Sequence, residues 1–134
     1  METTIDWEAL ARAATAARSG AYAPYSGFAV GAAVLTDQGV VVPGANVENA
    51  VYGLGICAER VAIASAVAQG AKRIQAVAVC TDVEPPARPC GPCLQVIAEF
   101  ADDIPILLLS TQGMRQLSSA RELLPQPFSL PKPS

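Results

Sequence analysis

Two cysteines separated by two residues lie in the stretch PCGPC, Pro89–Cys93. Alone, this pair is ambiguous, because the same spacing and composition occur in thiol–disulfide oxidoreductases and in metal sites. A third cysteine, Cys57, precedes Glu59 by two residues at another candidate helix start. Three thiolates can bind Zn²⁺ and leave one tetrahedral position open, which is typical of a catalytic zinc. With Cys57 and Glu59 included, the pattern favours zinc over a redox pair.

The chain contains no histidine, which excludes Ser-His and Cys-His pairs, histidine metal ligands and an imidazole base. Acid–base work therefore falls to a carboxylate, and Glu59 could face the open metal position without binding the metal. Zinc lowers the pKa of water to about 7, so a neighbouring carboxylate can take the released proton. Three thiolates carry more charge than Zn²⁺ neutralises, so we expect Arg60 and the positive helix N-termini to offset the excess.

Composition limits the class of partner. We predict a single domain over residues 1–134, with a net charge of −3 and no cluster of basic residues, which disfavours nucleic-acid binding. The longest apolar runs fall well short of the roughly 20 residues that a membrane-spanning helix needs. The start METTIDW has no basic-then-apolar leader pattern. We therefore expect a cytoplasmic protein that acts on a small molecule, without membrane or nucleic-acid partners.

The elements that must position these residues follow from periodicity and turn signals. Asp6 can cap a first helix, and the strand–helix–strand succession through residues 74–109 predicts a parallel crossover. Successive helix N-termini in such a fold can converge on one crevice. The class is α/β, with a mixed sheet between helices, and the proline-rich tail from about residue 129 is predicted to be extended or disordered. The predicted helices span 7–19, 57–69 and 92–101, and the predicted strands 28–35, 40–42, 74–81 and 106–109.

Three motifs carry a family resemblance: Asn46–Ala50 (NVENA), Cys57–Arg60 (CAER), and Pro89–Cys93 with Gln95. They are similar to the motifs of the small, homotetrameric cytidine deaminases. The resemblance implies a three-layer α/β/α fold with a mixed five-stranded sheet. It also implies zinc-dependent hydrolytic deamination of cytidine and deoxycytidine to uridine and deoxyuridine, with release of ammonia, in pyrimidine salvage.

The resemblance also assigns roles to individual residues. One Zn²⁺ per chain would be held by the three cysteines, Glu59 would carry the proton, and Arg60 and Gln95 would lie around the metal. In a homotetramer, sites would be shared between subunits. The predicted substrate contacts are Phe28 on the base, the Ala58 N–H on the base carbonyl, Asn46 and Glu48 on the ribose, and Tyr52 and Phe128 reaching a neighbouring subunit's site.

Simpler interpretations stand beside these roles. Outside the motifs, Glu59 would be an ordinary first-turn acid and Phe28 a core aromatic, and Cys80 has no assigned role. Leu94 departs from the family pattern, which usually has Arg there, so we expect a working site with a shifted pH optimum. The competing functions are a thiol–disulfide oxidoreductase, a non-catalytic zinc module and a deaminase for an antibiotic nucleoside such as blasticidin S.

Overall fold

The computed structural model describes residues 4–133, and this part of the chain contains both helices and strands. The first three residues of METTIDW lie outside this range, and the prediction of no leader rests partly on them. Ser134 of the predicted tail also lies outside it. Short 3₁₀ turns follow the first helix and precede the second. The elements are α1 (Trp7–Ala17), β1 (Gly31–Thr36), β2 (Val41–Ala45), α2 (Ala58–Ala68), β3 (Ile74–Thr81), α3 (Gly91–Phe100), β4 (Pro105–Ser110), β5 (Arg115–Ser119) and α4 (Ala120–Leu123).

The five strands form one mixed sheet in the order β2-β1-β3-β4-β5. β3 and β4 run parallel, with Val77 opposite Ile106, and the other neighbouring pairs are antiparallel. α3 connects the two parallel strands, as a crossover between parallel neighbours requires. The predicted strand–helix–strand unit is therefore confirmed, and it places the start of α3 beyond the carboxyl end of β3.

Helices cover both faces of the sheet. Along β3, Val77 and Val79 pack in one apolar cluster with α2 and α3. The alternate residues Ala78 and Cys80 pack in a second cluster with Leu10 and its neighbours on α1. Burial on both faces explains why β3 is apolar throughout instead of alternating with polar residues. The predicted three-layer α/β/α fold with a mixed five-stranded sheet is confirmed.

Glycine 44 allows α2 to lie directly against β2. A Cβ atom at Gly44 would lie 2.5 Å from the Ala58 carbonyl oxygen and closer still to the Ala62 nitrogen. Both of those atoms belong to the α2 backbone, which cannot move aside as a flexible side chain could. The first turn of α2, with Cys57 and Glu59, is thus seated on the strand by main-chain contact.

β1 begins at Gly31, three residues later than the predicted start at Phe28. The Asn46 side chain binds the intervening segment: the Val30 N–H donates to Asn46 Oδ1 at 2.8 Å, and Asn46 Nδ2 donates to the Phe28 carbonyl oxygen at 2.8 Å. β2 spans Val41–Ala45 and so extends three residues beyond the predicted strand at 40–42. The amide of Asn46 thus replaces a strand partner for the residues before β1.

The end of the described chain differs from the sequence-based assignment of elements. β5 and α4 were not among the helices and strands predicted from periodicity. Residues 124–133 contain no helix or strand. No helix in the described range 4–133 combines the length and the apolar character that crossing a membrane requires.

Candidate metal and substrate site

Two helix starts bring three sulfur atoms together. Cys57 is the N-cap of α2, Cys90 is the N-cap of α3, and Cys93 lies in the first turn of α3. The Cys57 and Cys90 Sγ atoms are 3.9 Å apart, those of Cys90 and Cys93 are 3.1 Å apart, and all three lie within 4.8 Å of one another. The predicted convergence of the three cysteines is therefore present in the structure.

Hydrogen bonds in the preceding loops fix where the two helices begin. Before α2, the backbones of Val47 and Ile56 exchange two hydrogen bonds of 2.9 Å, which close the segment between them. Before α3, the Thr81 hydroxyl accepts from the Ala87 N–H at 3.2 Å. Pro92 in the first turn of α3 suits a helix start, because its missing N–H is not needed there.

The donor set fits Zn²⁺. A tetrahedron with Zn–S bonds of about 2.3 Å places its sulfurs about 3.8 Å apart, close to the observed Cys57–Cys90 distance. Three thiolates and no oxygen ligand suit zinc and exclude Mg²⁺ and Ca²⁺, which prefer oxygen. Three protein ligands leave a fourth tetrahedral position for solvent or substrate.

The thiols interact strongly with one another. Hydrogen bonds from Cys93 and Cys90, together with the positive charge of Arg60, lower the pKa of Cys57 to about 6. Hydrogen bonding to Cys57 and burial raise the pKa of Cys93. The Cys57 thiolate is thus stabilised, whereas ionisation of Cys93 is disfavoured. A bound divalent cation would allow all three thiols to ionise together.

Glu59 is buried in the first turn of α2, with 4% of its surface exposed. Burial, and secondarily the charge of Cys57, raises the pKa of Glu59 to about 7. A carboxyl group with a pKa near neutrality can both accept and release a proton under ordinary conditions. Glu59 lies where the sequence predicted it, beside the three cysteines and on the wall of a cavity.

That cavity encloses about 190 Å³ and contains most of the predicted base-binding groups. Phe28, Asn46 and Ala58 line it together with Glu59 and two of the cysteines. Ala58 is the first residue of α2, so its N–H has no partner within the helix and can donate to a ligand. The sequence-based interpretation missed Thr81, Ala87 and Arg88, which also line this cavity.

Glu48 and Tyr52 line a second, neighbouring cavity of about 340 Å³. The Glu48 carboxylate accepts from the N–H groups of Tyr25 and Ser26 and from the Ser26 hydroxyl. These bonds hold the pKa of Glu48 below its ordinary value. The Tyr52 ring makes an edge contact with Tyr25, with ring centroids 6.2 Å apart. The predicted ribose pair is therefore divided between two adjacent cavities, with Asn46 in the first.

Three other predicted residues, Arg60, Gln95 and Phe128, line neither cavity. Arg60 acts on Cys57 through its charge, and among residues 4–133 no hydrogen bond connects it to a sulfur. Gln95 hydrogen-bonds the backbone of Phe128, whose ring is 70% exposed. Leu94 is buried in the apolar cluster between the sheet and α3, so an arginine at this position would need a different path to the metal.

Comparison with known proteins agrees with this geometry. The family model "Cytidine and deoxycytidylate deaminase zinc-binding region" matches residues 4–108. A cytidine deaminase from Halalkalibacterium halodurans is 46% identical over 126 residues, covering 93% of this chain and 96% of the relative. One from Mycobacterium tuberculosis is 42% identical, covering 94% of this chain and 92% of the relative.

Solved structures agree as well. The cytidine deaminase from Burkholderia pseudomallei superposes with a TM-score of 0.88 at 46% identity, covering 92% of this chain and all of that one. The Mycobacterium tuberculosis enzyme gives a TM-score of 0.80 at 39% identity, covering 95% of this chain and all of that one. With three converging sulfurs, a buried carboxyl group beside them and this agreement along nearly its whole length, the chain belongs to the zinc-binding cytidine and deoxycytidylate deaminase family.

Proposed function

We propose that this protein catalyses the hydrolytic deamination of cytidine and deoxycytidine to uridine and deoxyuridine, with release of ammonia. The observation that carries the proposal is the cluster of Cys57, Cys90 and Cys93, together with buried Glu59 in the cavity that the first two of these cysteines line. A three-cysteine centre with a non-ligating glutamate is the arrangement that zinc deaminases use on a cytosine ring.

Zinc held by the three cysteines supplies Lewis-acid chemistry that lowers the pKa of water and provides a nucleophile at neutral pH. Glu59 would take one proton from the attacking water and pass it to ring nitrogen N3, and would then carry the second proton of that water to the amino group, which leaves as ammonia while the water oxygen remains on C4 as the carbonyl. Its burial excludes bulk water from the transfer. Arg60 and the N-termini of α2 and α3 offset the negative charge of the thiolates.

Substrate orientation follows from the residues that line the two cavities. Phe28 packs on the base, and the Ala58 N–H donates to the base carbonyl. Asn46 and Glu48 contact the sugar hydroxyls. This assignment is supported by the shared cavity of Phe28, Asn46 and Ala58, and by the position of Glu48 in the cavity next to it.

The proposed reaction is tested with zinc-loaded protein and a panel of cytidine, deoxycytidine, cytosine and blasticidin S, with ammonia as the readout. We expect release from the two nucleosides and little from free cytosine, which lacks the sugar. Ammonia from blasticidin S alone would instead identify an antibiotic deaminase, the class of a Bacillus cereus relative that is 29% identical over 108 residues. No release from either nucleoside would contradict the proposal.

The role of Glu59 is tested by Glu59→Gln, which keeps the shape of the side chain but removes the titratable proton. We expect kcat to fall by about 10²–10⁴-fold, the range for loss of a general acid–base group, with the zinc content unchanged. Glu122→Gln on α4 is the matched control, because this exposed carboxylate is absent from both cavities. Retained turnover in Glu59→Gln would disprove the assigned proton transfer.

We further propose a homotetramer in which Tyr52 and Phe128 contribute to a neighbouring subunit's site. Support comes from their exposure, 81% for Tyr52 and 70% for Phe128, because aromatic residues are enriched in the interfaces between protein subunits. The first observation needed is the mass in solution by light scattering, where we expect four chains.

Sharing of sites is tested by combining two inactive variants in one assembly. Co-expression of Glu59→Gln with Phe128→Ala, under two affinity tags, yields mixed assemblies. If Phe128 serves a partner, a subunit with intact Glu59 receives its ring from a Glu59→Gln neighbour, and activity returns. If the mixed assemblies are no more active than Phe128→Ala alone, the Phe128 ring does not serve a partner's site. It then belongs to the site of its own subunit or to no site.

We place this activity in the cytoplasm, in the salvage of pyrimidine nucleosides. Zinc binding needs reduced thiols, and all four cysteines are free in the structure, which suits a reducing compartment. Cell fractionation with immunodetection tests this assignment, and recovery in a membrane or secreted fraction would contradict it.

A further inference from the structure

The Ser26 hydroxyl lies between Glu48 and Phe28 and is hydrogen-bonded to both. It donates to the Glu48 carboxylate and accepts from the Phe28 N–H at 3.0 Å. A hydroxyl can fill both roles at once, because it has one donor and two acceptor positions. Ser26 therefore connects a charged side chain to the backbone of an aromatic residue in the substrate cavity.

The segment around Ser26 is wrapped around the Glu48 carboxylate. Glu48 Oε1 accepts from the Tyr25 N–H at 2.9 Å and the Ser26 N–H at 3.2 Å, while the Ser26 hydroxyl occupies the other oxygen. Gly27, with φ of 71°, turns the chain between Ser26 and Phe28 in a conformation that other residues rarely adopt. The carboxylate thus anchors this turn across 22 sequence positions.

The backbone of Phe28 is held in position by hydrogen bonds to the side chains of other residues. The residue is 37% exposed and precedes the start of β1. Its N–H donates to Ser26, and its carbonyl oxygen accepts from Asn46 Nδ2 at 2.8 Å. Both backbone groups of Phe28 are thus held by side chains instead of by a strand partner.

The hydrogen bonds from Glu48 through the Ser26 hydroxyl to Phe28, here called the relay, also connect the two cavities. Ser26 and Glu48 line the larger one, whereas Phe28 lines the one that contains Glu59 and two of the clustered cysteines. We infer that Ser26 is a positioning residue, which transmits the placement of Glu48 to Phe28 and so sets where the ring meets the substrate base. This inference rests on the proposed function for the identity of the substrate, and it assigns Ser26 no part in the chemical step.

Ser26→Ala removes both hydroxyl bonds and leaves Glu48 with its two backbone donors. We expect KM for cytidine to rise about tenfold with kcat within about twofold, the pattern of lost binding that is equal in ground and transition states. Ser26→Thr keeps the hydroxyl and should recover most of the affinity. Ser19→Ala is the matched control, because within residues 4–133 the Ser19 hydroxyl bonds only the Ala16 carbonyl at the end of α1, and Ser19 lines neither cavity.

A double-mutant cycle separates this relay from a general loosening of the fold. In a Phe28→Ala background, Ser26→Ala should raise KM little further, because the residue that it positions is already absent. An equal rise in KM in both backgrounds, or an unchanged KM in Ser26→Ala alone, would overturn the inference.

Two measurements without substrate keep this test independent of the reaction. In Ser26→Ala, the pKa of ¹³C-labelled Glu48 should move up towards its ordinary value, and the Phe28 ring resonances should change while those of Phe100 on α3 stay in place. Unchanged Phe28 resonances would overturn the relay even in an active enzyme. Failure of the wild-type protein to release ammonia, with these shifts present, would instead overturn only the proposed function.

Discussion

The side-chain amide of Gln95 makes two hydrogen bonds to the backbone of Phe128. Nε2 donates to the Phe128 carbonyl oxygen at 2.7 Å, and Oε1 accepts from the Phe128 N–H at 3.1 Å. Four residues further along α3, the Glu99 carboxylate forms an ion pair with Lys132 at 3.2 Å. The C-terminal segment is therefore attached at two points to the helix whose first turn carries Cys93.

We predict that Gln95→Leu releases this segment while the rest of the fold persists. Each lost hydrogen bond contributes about 0.5–1.5 kcal/mol, so amide exchange at Phe128 should accelerate by about tenfold or more. Hydrogen–deuterium exchange followed by mass spectrometry measures this directly. Gln69→Leu is the control, since Gln69 bonds only to Ser65 through its side chain at the end of α2. Unchanged exchange at Phe128 would show that other contacts hold the segment.

A second prediction separates the three clustered cysteines from the fourth. Cys57→Ala should lose most of its zinc, whereas Cys80→Ala should retain one zinc per chain. Cys80 is fully buried in β3 and contacts only the Thr15 hydroxyl, at 3.7 Å, among polar groups. Metal analysis by mass spectrometry gives the stoichiometry. A chelator should lower the Tm of wild type and Cys80→Ala but leave that of Cys57→Ala unchanged, because only bound metal stabilises the native state.

A third prediction concerns the main-chain contact between β2 and α2. Gly44→Ala should lower the free energy of unfolding by about 1–3 kcal/mol, since the added methyl group meets α2 backbone. Gly20→Ala, where the added atom has nothing within 4 Å, should have little effect. Urea unfolding of both variants measures the difference. Equal stability of the two would show that α2 can shift freely on the strand.

A fourth prediction concerns an ion pair between α1 and β5. Arg115 Nη1 and Nη2 lie 2.6 and 3.3 Å from the two Glu8 carboxylate oxygens, and this hydrogen-bonded pair lowers the pKa of Glu8 from 4.5. A lowered pKa in the folded state stabilises the protein above the unfolded value of 4.5, and this contribution disappears as the pH falls through the folded value.

Arg115→Gln should therefore have a slightly lower Tm than wild type at neutral pH, by a few degrees at most, because the pair is exposed. The difference should vanish once the solution is acidic enough to protonate Glu8 in the wild-type protein. Tm measured against pH for both proteins checks this. A difference that persists after Glu8 is protonated would assign the stabilisation to packing of the Arg115 side chain.

The metal centre could be predicted from sequence because its chemistry is tied to residue type. Only cysteine supplies thiolates, and the absence of histidine left Glu59 as the natural proton carrier beside Cys57. The predicted helix starts then placed both groups correctly. The roles of the predicted substrate contacts stay predictions. The structure gives the positions of these residues, but it does not show their interactions with a nucleoside.

Other features could not be predicted, because they depend on partners far away in the sequence. β5 reads RQLSS, with Leu117 61% exposed, and forms a strand only by pairing with β4 at the edge of the sheet. The role of Ser26 could not be predicted from the sequence either, because an exposed serine beside a glycine is typical of any turn. Its bond to Glu48 emerges only when the fold brings the two together.

The cavity that we propose for the substrate offers a route to altered specificity. Ala87 and Arg88 lie in a proline-rich segment outside every helix and strand, and Ala87 is tied to Thr81 only through its backbone N–H. Replacing these two side chains would reshape the pocket without disturbing the helices that present the cysteines. Directed evolution toward bulkier nucleoside analogues therefore has a natural starting library at these two positions.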